Sequence, residues 1–187
     1  MKKFKKNIAL GLAAMVAVSV MSMTAFAADN CMTSVTYLPA ISEVDTSQAS
    51  LETPVRYIDE KTGTIVTIYD SNITVEFPET MPYSSNSVVI DGRIYVKKAD
   101  AERVGGATDS FKATKNGTVY FTLSDFQYSE YNVSLNKEGV TNSPLVVLEN
   151  KPADVPVALK GVKNDIRYEF RVSSWLGAGG AAYEATM

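Results

Sequence analysis

"GTVYFTLSDFQYSEYNVSL", residues 117–135, carries the reading of the fold. Val119, Phe121 and Leu123 alternate with polar neighbours before the central Ser-Asp-Phe-Gln-Tyr-Ser, and Tyr131, Val133 and Leu135 do so after it. A period of two marks a half-buried strand, because successive side chains point to opposite faces of a sheet. The residues between break that period and are mostly polar. The stretch therefore reads as strand, corner, strand.

The same rhythm extends in both directions. "PVRYI" (54–58), "TIVTIY" (64–69) and "ITVEF" (73–77) are separated by Asp59–Gly63 and by Asp70-Ser71-Asn72. "PLVVLE" (144–149), "VPVALK" (155–160) and "RYEFRV" (167–172) continue it. Short strands at near-regular spacing predict a sandwich or barrel. "SVVI" and "RIYV" flank Asp91-Gly92, a pair that predicts a two-residue hairpin because glycine accepts the positive φ such a turn needs. "KADAERV" (98–104) runs into Gly105-Gly106 and predicts one short helix with a glycine stop. The expected architecture is an all-β, Greek-key β-sandwich with that helix, its body spanning 53–175. A Ser/Thr/Asp-rich leader or linker precedes it over 28–52, and a Gly/Ala-rich tail or closing strand follows over 176–187.

Two segments repeat one pattern. "LSDFQYSEYNVSLNKEGVTNSP" (123–144) and "LKGVKNDIRYEFRVSSWLGAGGAA" (159–182) each carry an apolar pair, Leu123/Phe126 and Leu159/Val162. Each continues with a polar turn, a Tyr, alternating apolars and a Gly. This resembles the E strand, E–F corner and F strand of fibronectin type III and other Ig-like modules. The resemblance implies that Tyr131 and Tyr168 are corner tyrosines whose hydroxyls bond back to upstream backbone. It covers these two segments only. They stand too close together for two complete modules of about 90–100 residues. A weaker resemblance links "IDGRIYVKKADAERVGG" (90–106) to the copper amine oxidase N-terminal-type stalk repeat of secreted bacterial proteins, although Lys97-Lys98 replace that family's Pro-Leu-Arg.

The N-terminus addresses the chain. Lys2, Lys3, Lys5 and Lys6 precede an uncharged apolar run from Ile8 to Met23, and Ala25-Phe26-Ala27 follows. Basic, apolar and small-x-small segments in that order predict a signal peptide over 1–27, with Ala25 and Ala27 forming the cleavage site. The run falls short of the roughly 20 residues that span a bilayer. Cys31, the sole cysteine, follows Ala28-Asp29-Asn30 rather than the small apolar box of a lipoprotein, so it is read as a bystander. Cleavage would remove four lysines and move the net charge from −3 to about −7. That surface attracts neither nucleic acid nor anionic lipid. The expected product is secreted or extracytoplasmic, with no membrane span after cleavage.

The chain holds no histidine. This excludes Ser-His-Asp and Cys-His nucleophile systems and the usual zinc site. Neither Asp59-Glu60 nor Asp70-Ser71-Asn72 has the acid spacing of a calcium loop. No cofactor, metal or catalytic residue is expected, and the chain is read as a non-enzyme. Aromatics falling between strands are the better candidates: Tyr83, Phe126, Tyr128 and Trp175 can offer flat surfaces to a protein or polysaccharide partner. The expected function is a secreted binding, adhesion or scaffold module. The alternatives are a self-assembling envelope or fibre subunit and, third, a small carbohydrate-active enzyme using an acid pair such as Asp125 and Glu130.

Overall fold

The computed structural model describes residues 38–40, 44–81, 87–99, 106–140 and 142–187. The signal segment with Ala25 and Ala27, Cys31 and Tyr83 lie outside them. The chain is all-β, and the described residues contain no helix. Among the described residues twelve strands form: β1 (Val55–Ile58), β2 (Ile65–Ile68), β3 (Thr74–Glu76), β4 (Val88–Lys98), β5 (Gly106–Ala107), β6 (Phe111–Lys112), β7 (Gly117–Ser124), β8 (Glu130–Lys137), β9 (Pro144–Pro152), β10 (Val157–Val162), β11 (Arg167–Ser174) and β12 (Gly179–Thr186).

They hydrogen-bond into one mixed sheet curled into a half-barrel, in the order β1-β2-β9-β8-β11-β4-β12-β7-β10-β3, with β5 and β6 also on β11. The pairings are antiparallel except at the seam, where Ser173 and Ser174 of β11 run parallel to Lys97 and Lys98 of β4. The curl brings the inner faces of its two flanks together. Phe121 of β7 stacks on Phe170 of β11 with centroids 4.2 Å apart, and Phe111 packs against Phe170 and Tyr168. Val66, Ile68, Val119, Leu135, Val146, Leu148 and Leu159 complete the buried interior. Burying the apolar side chains on the inner face of the curl is what holds such a sheet closed.

Two sequence expectations change. Asp91-Gly92 is no hairpin: β4 runs straight through it and pairs along its length with β12. Gly92 is there for close approach. It lies opposite Tyr183, and a Cβ at this position would sit 2.9 Å from the Tyr183 hydroxyl. The helix expected over 98–104 is not seen. Lys98 closes β4, and Ala99 donates its N–H to Ser174 O at 2.8 Å, while 100–104 lie outside the described residues. The segment "GAGGAAYEAT" supplies β12, a strand inside the sheet between β4 and β7. Packing also extends ahead of residue 53: Ala49 is buried in the core, and Ile58 N–H donates to Pro39 O at 3.0 Å.

Candidate functional site

The β7–β8 corner crosses from one flank of the curled sheet to the other. Asp125 turns it with a left-handed φ of 53°, which Asp tolerates better than most residues. Phe126 and Tyr128 then meet edge-to-face at 5.4 Å. They do different jobs. Phe126 packs against the core as a plug, whereas Tyr128 reaches across to the β11–β12 connection, residues 175–178. There its hydroxyl lies so close over Gly177 that a Cβ would approach it to 2.1 Å. Gln127 Nε2 donates to Ala178 O at 2.9 Å. Ser174 Oγ donates to Glu130 O at 3.1 Å and accepts from Leu176 N–H at 3.2 Å. The two loops are thus stitched together, and Trp175 and Leu176 project from the seam, each 48% exposed.

Of the four candidate aromatics, the structure brings Phe126, Tyr128 and Trp175 to one end of the sheet. Tyr83 falls outside the described residues. A fifth aromatic is exposed on β4, the strand whose Lys98 pairs with Ser174. Tyr95 on β4 is 66% exposed and stands opposite Gly180, a position with no neighbouring heavy atom within 4 Å of where a Cβ would be. Sequence reading spent Tyr95 on a hairpin arm. The signal was present: alternation puts Tyr95 on the charged face of "RIYVKK" with Arg93 and Lys97. Arg93 pairs loosely with Asp125 at 3.4 Å, both largely exposed. Asp125 thus makes one long, exposed contact, while Glu130 lies on β8 opposite Pro152.

A second feature escaped the sequence reading altogether. Lys151 on β9 is fully buried. Its ammonium lies 4.9 Å from the centre of the Tyr131 ring and donates to Pro152 O and Val155 O. Burial pushes its pKa down to about 7, against the opposing pull of Asp154. Asn150 and Asp154, with φ of 55° and 62°, fold the β9–β10 turn around it. That turn is tied to the β7–β8 corner by Ala153 N–H to Ser129 O at 2.9 Å and Asp154 N–H to Leu123 O at 3.0 Å. The Lys151 turn therefore backs the loop that carries Tyr128.

The two corner tyrosines differ. Tyr168 Oη accepts the N–H of Lys163 at 2.9 Å, which closes the β10–β11 corner. Tyr131 Oη approaches the Leu123 backbone without hydrogen-bond geometry and has no partner, and burial raises its pKa. Near Tyr168, at the opposite end of β11 from Trp175, a cavity of about 60 Å³ is lined by Asp70, Lys137, Leu145 and Lys163. Burial raises the Asp70 pKa, but the backbone and side-chain N–H groups of Asn72 and the two lysines outweigh it, and the net direction is down. No three His, Cys, Asp or Glu side chains come together as metal ligands among the described residues. No described helix is long and apolar enough to cross a membrane.

Compared with known proteins, the chain matches no family model, no curated protein and no solved structure.

Proposed function

We propose that this chain is a secreted, non-catalytic binding module, an Ig-like Greek-key body that presents an aromatic patch to a protein or polysaccharide partner outside the cell. One observation carries the reading. Two loops distant in sequence are locked to each other by Tyr128 over Gly177 and by the Gln127–Ala178 hydrogen bond, yet they leave Trp175 and Leu176 half exposed. Anchoring a loop while leaving its large apolar residues in water costs solvation without adding to the core. A prepaid, rigid surface of that kind favours binding, because less order must be imposed on association. The test is retention of the purified protein on envelope material from the producing cells. Wild type should be retained and Trp175→Ala should lose at least tenfold in affinity, while both melt at the same temperature. Equal retention of the two proteins would refute the reading.

A subunit that assembles through its sheet edges is the second reading. Residues 88–93 of β4 pair with β12 on one side, and no described strand pairs with them on the other. Such edges template further pairing. Light scattering decides: a strict monomer at high concentration removes this reading.

A further inference from the structure

Resting on the binding reading above, we infer that the partner is a polysaccharide, held where the Trp175–Leu176 loop meets the outer face of β4 and β12, with Tyr95 as a second stacking surface. Three features of the patch select that chemistry.

The first is shape. Trp175 and Tyr95 stand on the surface, and the backbone opposite Tyr95 is bare at Gly180. A protein partner is usually anchored by a side chain that fills a desolvated pocket. An exposed ring beside open backbone offers a face instead, and the apolar C–H face of a pyranose lies flat on such a ring.

The second is the polar rim. On β4, Arg93 precedes Tyr95 by two residues on the same face, about 7 Å away along the strand. Arg93 and Asp125 reach each other above Ala182 through a long 3.4 Å contact, with neither buried. A guanidinium and a carboxylate so weakly committed to each other are a donor fork and an acceptor pair of the kind that bridges adjacent hydroxyls. On the same face Lys97 lies beyond Tyr95, and Asp91 with its partner Glu184 lies beyond Arg93, so acids and bases are interspersed around the ring, which fits a polyhydroxylated ligand better than a strongly ionic one.

The third is preorganisation. Tyr128 and Gln127 fix the backbone of the connection 175–178, and the ladder between β4 and β12 fixes the backbone at Tyr95, so the main chain under each aromatic is in place before binding. A polysaccharide gains little per sugar and depends on low ordering costs at several repeated contacts.

The experiment uses envelope fragments of the producing cells in three forms: untreated, oxidised with periodate to cleave sugar diols, and digested with protease. Wild type is compared with Tyr95→Ala, Trp175→Ala and Gly180→Val. The last removes no contact and fills the open floor beside Tyr95. Periodate should cut retention at least tenfold and protease should leave it unchanged. Each substitution should weaken retention at least fivefold with the circular dichroism unaltered. Retention that survives periodate and fails after protease would overturn the polysaccharide assignment while leaving the binding reading in place. Periodate-sensitive retention that is indifferent to all three substitutions would put the sugar elsewhere and overturn the site. Absence of wild-type retention on untreated fragments would remove the binding reading and this inference with it.

Discussion

Lys151→Met should stabilise the protein at pH 6 and destabilise it at pH 10. The buried amine has a pKa near 7 in the folded chain and near the ordinary 10.5 in the unfolded one. Because the folded value is the lower, the unfolded chain binds more protons between pH 7 and 10.5, and stability rises with pH across that window. Below pH 7 both states carry the charge, and the folded state bears the full cost of burying it. At about 1.4 kcal/mol per pH unit, that cost is on the order of 5 kcal/mol. Methionine removes it but leaves Pro152 O and Val155 O without their donor, a loss of about 1 kcal/mol each. The contact of the ammonium with the Tyr131 ring belongs to the charged form alone and is already contained in its shifted pKa. The balance at pH 6 is a gain of about 3 kcal/mol for Met. Around pH 10 most of the burial cost has gone, and the lost donors leave Met less stable by about 1–2 kcal/mol. Urea denaturation of both proteins at pH 6, 8 and 10 measures the difference, in which groups common to both cancel. A difference that stays flat from pH 6 to 10 would refute the argument, because it would mean that Lys151 keeps an ordinary pKa in the fold.

The two corner tyrosines give a paired comparison: Tyr168→Phe removes the acceptor of Lys163 N–H and should cost about 1 kcal/mol, whereas Tyr131→Phe deletes an unpartnered buried hydroxyl and should be neutral or slightly stabilising in the same urea assay. Gly161→Ala should unfold the protein or cost at least about 3 kcal/mol, since Gly161 has φ +96° and its Cβ would fall 1.9 Å from Asn72 O, while Gly180→Ala, in open space, should be neutral or gain a few tenths of a kcal/mol. At the alkaline end, burial and Asp59 push the Tyr57 pKa up to about 12 from the ordinary 10.0, so this group stabilises the fold below pH 10 and that contribution is lost as pH rises from 10 to 12; absorbance at 295 nm should show a tyrosine that ionises only with unfolding.

How much of this was legible beforehand depended on whether a residue's role was local. Strands β7, β8 and β11 were readable from alternation, because Val119, Phe121 and Leu123, Tyr131, Val133 and Leu135, and Tyr168, Phe170 and Val172 are buried at every second position. Strands β9 and β10, buried on successive residues, were readable as short apolar runs between turns. Asp91-Gly92 was misread for the opposite reason. Its dipeptide signal is that of a tight turn, but the pairing of Asp91 and Gly92 with Glu184 and Tyr183 of β12, far later in the chain, keeps it extended, and Tyr183 explains the glycine better than any turn does. The strand β12 was half hidden by the same economy. "GAGGAA" has too little side chain to show a period, since Gly177 and Gly179 must be small to admit Tyr128 and Gln127. The short β5 and β6 have no span over which a pattern can be seen.

The candidate site was legible in part and for a related reason. Phe126, Tyr128 and Trp175 stood out because they interrupt strand alternation, but nothing local separates the plug from the presented surface; that follows from Phe126 meeting the core and Tyr128 meeting Gly177. Lys151 illustrates the limit. In "LENKPADVP" a lysine beside a proline looks like any solvated turn. Its burial comes from register, which sets Lys151 opposite Tyr131 on β8, and from the turn that closes over both. The cost of that burial falls on the same turn whose Ala153 and Asp154 N–H groups hold the Tyr128 corner. If Lys151→Met tightens that turn at pH 6, hydrogen exchange at Ala153 and Asp154 should slow together with that of Leu176, whose N–H is tied back through Ser174 to Glu130. Slower exchange at the first two with Leu176 unchanged would mean that the buried lysine supports its own turn and the aromatic surface stands without it.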